Sequence, residues 1–267
     1  MPLSNDYDSF LIDLDGTVYR GETVVENATE TVHRLRSAGK HVVFLTNNSG
    51  RTPEDVAAKL TGLGIDAKAP EIVTSGLVTA KLLAERGVRT AFVIGMGGIR
   101  GALSAAGIDV FDGEPDHVDY VVVGWDKNAD YARLKTAGLL VQRGAKLIAT
   151  NPDGAFPAPD GLWPGAGALL SVITTTTGAT AEIVGKPNTP ICEAALEQAG
   201  GGRPLVIGDR LDTDIAAAAT LGWDSLLVFT GIARPGDVSS ARVRPTYVGA
   251  DLSVLLAAVL AEELRPG

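Results

Sequence analysis

Two acidic residues follow directly on a short apolar run near the start of the chain. Phe10, Leu11 and Ile12 lead into Asp13, and Asp15 comes two residues later. Because residues i and i+2 of an extended strand point to the same side, these two carboxylates are predicted to lie close together. Carboxylates a few Å apart repel by roughly 4 kcal/mol at an effective dielectric near 20. Such a pair is kept most readily when a cation lies between the two groups.

More carboxylates follow another apolar run late in the chain. The sequence GDRLDTD at 208–214 supplies Asp209, Asp212 and Asp214. Oxygen donors with no histidine or cysteine nearby suit Mg²⁺, which typically keeps several waters and takes one or two carboxylates plus a phosphate oxygen. These acids therefore predict a magnesium site. Asp212 is the acid most easily explained otherwise, because it can cap the helix that follows.

Other polar residues favour a phosphate group as the ligand. The sequence TNNSGRT at 46–52 places hydroxyl and amide donors just before a predicted helix N-terminus, where backbone N–H groups attract anions. Lys186 lies between Gly185 and Pro187 on a predicted loop, and it can supply the cation that an acidic site needs. These residues predict a small phosphorylated molecule as the ligand.

The elements that must position these residues alternate between strand and helix. Strands predicted along both ends of the chain are SFLID, HVVFLT, EIVTS, RPLVIGD and DSLLVFT, and helical patterns such as ENATETVHRLRSAG, TPEDVAAKLTGLG and TDIAAAATLG separate them. This alternation predicts an α/β fold with a Rossmann-like, doubly wound parallel sheet, in which ligands bind beyond the carboxyl ends of the strands. All three polar clusters follow the ends of predicted strands.

The middle of the chain is predicted to form a second α/β unit. Its predicted strands are RTAFVIG, DYVVVGW and KLIATN, with helices between and after them. We expect an inserted cap domain over residues 88–182 and a catalytic core formed by residues 1–87 and 183–267. The sequence ATNPDGAFPAPDG and the following DGLWPGAG are interpreted as a loop rich in proline and glycine, long enough to be functional.

Composition excludes several classes of protein. A net charge of −9 over 267 residues argues against a nucleic-acid ligand, which would need a basic stripe. Cys192 is the single cysteine, so neither an internal disulfide nor a cysteine-built metal site is expected. The residues MPLSNDYDSF lack the basic start and apolar run of a secretion signal, and no apolar run approaches the length of a membrane span. We therefore expect a cytoplasmic protein with no membrane partner.

The polar clusters together resemble a known family. DLDGT at 13–17, TNN at 46–48, Lys186 and GDRLDTD at 208–214 resemble the four motifs of the haloacid dehalogenase superfamily of aspartyl-nucleophile phosphatases. ATNPD, PGAGAL and GDRLDTDI resemble its NagD-like nitrophenylphosphatase group, which includes phosphoglycolate, pyridoxal phosphate and glycerol phosphate phosphatases. That group carries a large α/β cap between the second and third motifs, where the insertion falls here, and related caps often form homodimers.

The resemblance implies a role for each matching residue. Asp13 would be the nucleophile and Asp15 the general acid and base, and Thr17 would support the turn. The implied Mg²⁺ ligands are Asp13, the main-chain carbonyl of Asp15, Asp209 and, through water, Asp214. Thr46, Asn47 and Lys186 would bind the phosphoryl oxygens.

Cap residues are predicted to select the leaving group. Asn151, Asp153 and Trp163 are the candidates, because the resemblance puts the loop that carries Asp153 over the mouth of the active site. The alternative is that Asp153 only shapes a turn, since Asn-Pro-Asp-Gly is strong turn chemistry. The sequence leaves the physiological substrate open among sugar and glycerol phosphates, phosphoglycolate, nucleotides and pyridoxal phosphate.

Two other functions are compatible with parts of the sequence. VIGMGGIRG at 93–101 superficially resembles a dinucleotide-binding fingerprint, which would indicate a nicotinamide-dependent oxidoreductase, but its glycine spacing is one residue too long. A receiver-like signalling module would also use an aspartate as phosphoryl acceptor. Such modules are much shorter and need no acid two residues after the acceptor, so Asp15 argues for a phosphatase.

Overall fold

A computed structural model describes residues 2–158, 160–257 and 265–266. In chain order the strands are β1 (Ser9–Asp13), β2 (Tyr19–Arg20), β3 (Thr23–Val24), β4 (His41–Thr46), β5 (Ile72–Thr74), β6 (Thr90–Ile94), β7 (Asp109–Phe111), β8 (Tyr120–Val123), β9 (Lys146–Ala149), β10 (Ala155–Ala158), β11 (Gly161–Pro164), β12 (Glu182–Ile183), β13 (Pro204–Gly208), β14 (Asp224–Val228) and β15 (Tyr247–Gly249).

Helices separate most of these strands, as the sequence predicts. The α-helices are α1 (Ala28–Ser37), α2 (Pro53–Gly62), α3 (Ser75–Glu85), α4 (Gly97–Ala105), α5 (Tyr131–Gln142), α6 (Ala166–Thr177), α7 (Pro190–Gln198), α8 (Ala216–Leu221) and α9 (Asp237–Ser240). Short 3₁₀ turns cover Leu3–Asp6, Ala69–Glu71 and Leu252–Leu255, and a π-helical turn covers Leu211–Ile215. Within the described part of the chain, no helix combines the length and the apolar character needed to cross a bilayer.

The chain divides into two compact units. The first consists of Met1–Thr46, Glu54–Val73 and Lys186–Gly267, and the second consists of Asn47–Pro53 and Thr74–Gly185. The second unit is inserted in the sequence of the first, but it begins earlier than residue 88. Helix α3 groups with it because α3 packs against α4. The short segment 47–53, which follows strand β4, also groups with the second unit.

The first unit is built on a six-stranded sheet in the order β15-β14-β13-β1-β4-β5. Strand β1 pairs in parallel with both β4 and β13, and Ile12 lies opposite Phe44 on one side and Ile207 on the other. All residues of β1 are buried, as expected for a central strand of a doubly wound sheet. Because the strands are parallel, the carboxyl ends of β1, β4 and β13 lie side by side. The predicted α/β, Rossmann-like core is confirmed.

The second unit has its own five-stranded sheet, in the order β12-β9-β8-β6-β7, with parallel pairing throughout. Its core includes Ile94, Val121, Val123 and Ala149, which lie on neighbouring strands and are buried. The sheet therefore directs the loops that begin at residues 95, 124 and 150 to one edge.

Part of the loop predicted over residues 149–167 is instead an antiparallel hairpin of β10 and β11. Phe156 pairs with Trp163 across the hairpin. The ring of Phe156 lies edge-on to both Trp163 and Trp125, with centroids 6.1 and 5.4 Å apart. Aromatic pairs of this geometry stabilise a two-stranded ribbon beyond the area that they bury. The glycines and prolines indicated a loop, and the aromatic pairing across the strands explains why a hairpin forms.

Candidate active site

Three acids meet at the carboxyl edge of the first unit's sheet. Asp13 ends β1, Asp209 directly follows β13, and Asp214 lies in the π-helical turn after it. One carboxylate oxygen from each lies within 4.8 Å of the others, and all three residues are buried. The structure thus brings together three of the four predicted metal ligands. The π-turn starts the segment that was predicted as a regular helix, and such turns are frequent at functional sites.

Lys186 is the cation of this cluster. Its ammonium group donates to Asp13 Oδ1 at 2.5 Å and to Asp214 Oδ1 at 2.6 Å, and its side chain is only 3% exposed. Burial acts to lower the pKa of Lys186, but the negative charges of Asp13 and Asp214 outweigh burial and raise that pKa above its ordinary value. Lys186 therefore stays charged and holds two of the three acids.

The acids themselves are harder to ionise than usual. Burial raises the pKa of Asp13 well above its ordinary value, and Lys186 opposes that shift. Burial, together with the charge of Asp214, raises the pKa of Asp209 to about 6. Each shift reflects the cost of placing negative charge among other negative charges away from water. A cation bound among these carboxylates would restore their ionised forms.

The donor set fits a divalent cation. Asp209 Oδ1 is buried and has no hydrogen-bond partner among the residues that the structure describes. An unpaired buried acceptor is costly unless something else satisfies it, and a metal ion does so. The three carboxylates outnumber the single Lys186 ammonium by two charges, which a divalent cation balances. Oxygen-only ligands of this kind suit Mg²⁺ or Ca²⁺ better than softer metals.

The segment after β14 supports Asp209, although none of its residues was among the predicted site residues. Ile232 N–H donates to Asp209 Oδ2 at 2.7 Å. A Cβ atom on Gly231 would lie 1.9 Å from the same oxygen, so only glycine allows this approach. The signal was present in the sequence, because GIA at 231–233 follows the predicted strand DSLLVFT, whose end lies at the same edge of the parallel sheet.

Asp15 and Asp212 lie outside the three-acid cluster. Asp15 is exposed, and its Oδ2 accepts a long hydrogen bond of 3.5 Å from the Tyr19 hydroxyl. Asp212 is exposed and pairs with Arg210, at 3.0 and 2.8 Å. The hydrogen bond from Arg210 lowers the pKa of Asp212. An ion pair thus accounts for Asp212, where a helix cap was the simpler expectation.

The two residues predicted to bind phosphate after β4 have different surroundings. Thr46 is buried at the end of the strand. Asn47 belongs to the second unit, and its side-chain amide donates to Asp153 Oδ2 at 3.1 Å. The Asn47 carbonyl accepts hydrogen bonds from the hydroxyl of Ser75 and the amide of Asn151, both at 2.7 Å.

The predicted specificity residues fall into two groups. Asn151 and Asp153 lie together, because the N–H of Asp153 donates to Asn151 Oδ1 at 3.0 Å, which is the turn that the sequence indicated. Trp163 lies instead on the β10–β11 hairpin, where its indole N–H donates to Asp160 at 2.7 Å and the residue is 41% exposed. Asn47 and Asp153 contact each other across 106 positions in the chain.

The glycine-rich sequence VIGMGGIRG has a packing role. A Cβ atom on Gly98 would lie 2.5 Å from the Arg51 carbonyl oxygen and 2.6 Å from that of Ser49. The N–H of Gly98 donates to the carbonyl of Gly50. The backbone of segment 49–51 therefore occupies the approach to this loop, which explains the glycine without a dinucleotide.

The sequence also matches established family models. Residues 10–109 match the model described as haloacid dehalogenase-like hydrolase, and residues 183–255 match the model described as HAD-hydrolase-like. These two ranges contain the three-acid cluster and Lys186. The fold and the site thus define a hydrolase of this kind.

Individual relatives agree along nearly the whole chain. The chain is 40% identical over 254 residues to an acid sugar phosphatase of Staphylococcus epidermidis, covering 94% of this chain and 97% of the relative. The structure of a glycerol phosphate phosphatase from Mycobacterium tuberculosis, in complex with magnesium, aligns with a TM-score of 0.93 at 33% identity, covering 99% of this chain and 80% of that one. A 4-nitrophenylphosphatase from Thermotoga maritima aligns with a TM-score of 0.90 at 32% identity, covering 97% of this chain and 100% of that one.

The chain belongs to the haloacid dehalogenase-like hydrolases. The predicted resemblance to the NagD-like phosphatases is confirmed, and so is the predicted enzyme class, a phosphoric monoester hydrolase. The residue roles implied by the resemblance stay predictions.

Proposed function

We propose that this protein is a magnesium-dependent phosphatase that hydrolyses small phosphate monoesters through an aspartyl-phosphate on Asp13. The observation that carries the proposal is the contact of Asp13 with Lys186 beside Asp209 and Asp214, all buried at the carboxyl edge of a parallel sheet. This edge is the expected position of a ligand in such a fold. An isolated structural ion pair would not need two further carboxylates.

The reaction proceeds in two displacements. A carboxylate oxygen of Asp13 attacks phosphorus, and the bond from phosphorus to the leaving oxygen breaks as Asp15 donates a proton to that oxygen. Water then attacks phosphorus, Asp15 takes the proton from the water, and the bond to Asp13 breaks. The exposed position of Asp15 suits a group that exchanges protons with the leaving alcohol and with water.

The remaining residues hold charge in place. Lys186 orients Asp13. Together with Thr46 and Asn47, it would bind the oxygens of the transferring phosphoryl group, where electrostatic stabilisation does most of the catalysis. Asp13, the carbonyl of Asp15 and Asp209 would hold Mg²⁺, with Asp214 acting through water. When bound, the metal would supply positive charge to neutralise the carboxylates and the phosphoryl oxygens.

The relatives favour a polyhydroxy leaving group. One relative is named as an acid sugar phosphatase and another as a glycerol phosphate phosphatase, so sugar and glycerol phosphates head the substrates that we propose. Phosphoglycolate, nucleotides and pyridoxal phosphate follow. The prediction that Asn151, Asp153 and Trp163 select among them stays a prediction, as do the cytoplasmic location and a homodimer formed through the cap.

A panel of phosphate monoesters tests this function. We expect hydrolysis with Mg²⁺, loss of hydrolysis in chelator, and no turnover by a folded Asp13→Asn variant, because an amide is a poor nucleophile and a poor metal ligand. Asp212→Asn is the matched control, since Asp212 lies close in sequence to two cluster acids but is exposed and pairs with Arg210. Full activity in chelator, or appreciable activity of Asp13→Asn, would contradict the proposal.

A further inference from the structure

Two catalytic candidates are joined by peptide bonds to residues of the second unit. Thr46 is followed by Asn47, and Lys186 is preceded by Gly185. The positions of Asn47 and Gly185 therefore restrict where the backbone of Thr46 and of Lys186 can lie. Contacts that hold Asn47 and Gly185 within the second unit therefore also constrain the backbone of Thr46 and of Lys186.

Asn47 is fixed by hydrogen bonds at both its backbone and its side chain. Its carbonyl accepts from Ser75 and from Asn151, and both donor residues are buried. Its side-chain amide donates to Asp153. Two separate elements thus hold one residue, namely the first turn of α3, which carries Ser75, and the turn after β9, which carries both Asn151 and Asp153.

Gly185 is fixed in the same cluster. Its N–H donates to the carbonyl of Thr150 at 2.8 Å. A Cβ atom at this position would lie 2.5 Å from Asn47 Oδ1 and 2.4 Å from the Thr150 oxygen. The backbone of Gly185 therefore packs directly against the side chain of Asn47. The residue after Thr46 and the residue before Lys186 are thus held by one cluster of contacts.

Asp153, one of the partners of Asn47, makes two further backbone hydrogen bonds. The N–H of Asp153 donates to Asn151, and the carbonyl of Asp153 accepts from Gly167 N–H at 2.8 Å, in the first turn of α6. These two hydrogen bonds fix the backbone of Asp153, and its carboxylate accepts a hydrogen bond from the amide of Asn47. A change at Asp153 therefore alters the hydrogen bonding of Asn47 directly.

We propose that Asn151 and Asp153 are positioning residues for the phosphoryl site, acting on Thr46 through Asn47 and on Lys186 through the packing of Asn47 against Gly185. This inference rests on the proposed phosphatase function. It differs from the specificity role predicted from the sequence, because a positioning residue affects every substrate equally, whereas a residue that reads the leaving group reorders the substrates.

Steady-state kinetics of Asp153→Ala distinguish the two roles. We expect kcat to fall about ten-fold or more, by the same factor for nitrophenyl phosphate and for glycerol phosphate, because a small misplacement of catalytic groups slows the chemistry of any substrate. The inhibition constant of inorganic phosphate should rise, since phosphate reports the phosphoryl site alone. Asp153→Asn should keep most of the activity, because its amide oxygen still accepts from Asn47.

Asn151→Asp supplies a second variant. It keeps the oxygen that accepts from the N–H of Asp153 but loses the donor to the Asn47 carbonyl, so kcat should again fall equally for both substrates. Asp119→Ala is the matched control, since Asp119 accepts from the N–H groups of Arg89 and Thr90, both at 2.9 Å, at the opposite edge of the same sheet. It should lower the unfolding temperature and leave kcat unchanged.

Several results would overturn the inference. Reordering of the two substrates by Asp153→Ala would assign Asp153 to the leaving group, and an unchanged kcat in both Asp153→Ala and Asn151→Asp would remove the positioning role. A drop in kcat for Asp119→Ala as large as that for Asp153→Ala would mean that any weakening of the second unit slows the enzyme. A wild-type protein that hydrolyses neither substrate would instead contradict the proposed function itself.

Discussion

Replacing Lys186 by methionine should separate the two roles of this residue, stabilising the buried acids and binding phosphate. Lys186 makes two buried ionic hydrogen bonds, at 2.5 and 2.6 Å, and its removal leaves the carboxylates of Asp13, Asp209 and Asp214 without their cation. Breaking a buried ion pair by removing one partner costs about 3–5 kcal/mol. We therefore expect the metal-free variant at pH 8 to lose free energy of unfolding of that order.

The loss should depend on pH and on metal. At pH 5 it should be smaller, because burial raises the pKa of Asp13 and the variant can protonate this carboxyl instead of keeping it charged. Saturating Mg²⁺ should recover more stability in the variant than in the wild type, since the ion replaces part of the missing positive charge. Urea unfolding followed by circular dichroism, in chelator and in Mg²⁺ at both pH values, measures all of these quantities.

The activity of Lys186→Met should fall by more than its loss of folded protein explains. Removing one group that stabilises transition-state charge typically costs about 10²–10³ in kcat, and we expect at least the lower figure for folded Lys186→Met saturated with Mg²⁺. Lys135→Met is the matched control, because Lys135 pairs with Glu114 at 2.7 Å on the surface. It should leave stability and kcat close to wild type. Wild-type stability of Lys186→Met at pH 8 in chelator would refute the electrostatic reasoning.

Three further predictions concern the metal ligands. Burial raises the pKa of Asp209 to about 6, so ionisation of this carboxyl opposes folding. The free energy of unfolding of the metal-free wild type, relative to that of Asp209→Asn, should therefore fall by up to about 3 kcal/mol as pH rises from about 4 through 6. Urea unfolding of both proteins in chelator checks this, and a rise in that difference would contradict it. Gly231→Ala should weaken Mg²⁺ binding about ten-fold or more in calorimetry, because its Cβ would lie 1.9 Å from Asp209 Oδ2; unchanged affinity would show that the loop yields freely. Ca²⁺ should inhibit in competition with Mg²⁺, because the larger ion takes more ligands and can engage both oxygens of Asp13; activity in Ca²⁺ equal to that in Mg²⁺ would contradict this.

The sheet edge that holds the acids was predictable because it follows from local patterns. Apolar runs that end on Asp13 and Asp209 indicate buried parallel strands, and parallel strands align their carboxyl ends. The close contact of Lys186 with Asp13 was expected only from the need for a compensating charge. Lys186 and Asp13 are 173 positions apart in the chain, so no local sequence pattern specifies their contact.

The contacts of the second unit were less predictable. The bond between Asn47 and Asp153 depends on how the segment after β4 packs against another sheet, which no periodicity reports. The hairpin that carries Trp163 has a composition that favours loops, and its cross-strand aromatic pair overrides that preference. The grouping of α3 with the second unit has no local signal, because α3 has the same helical pattern whichever sheet it packs on.

Trapping the phosphorylated enzyme tests the central claim most directly. Wild type, Asp13→Asn and Asp15→Asn would each be mixed with Mg²⁺ and a phosphate monoester labelled at phosphorus, quenched in acid, and digested for peptide mapping. We expect label on the peptide that contains Asp13 and more of it in Asp15→Asn, whose amide cannot activate the water that removes it, and none in Asp13→Asn. Wild-type turnover with no label on that peptide, or label that persists in Asp13→Asn, would contradict an aspartyl-phosphate on Asp13.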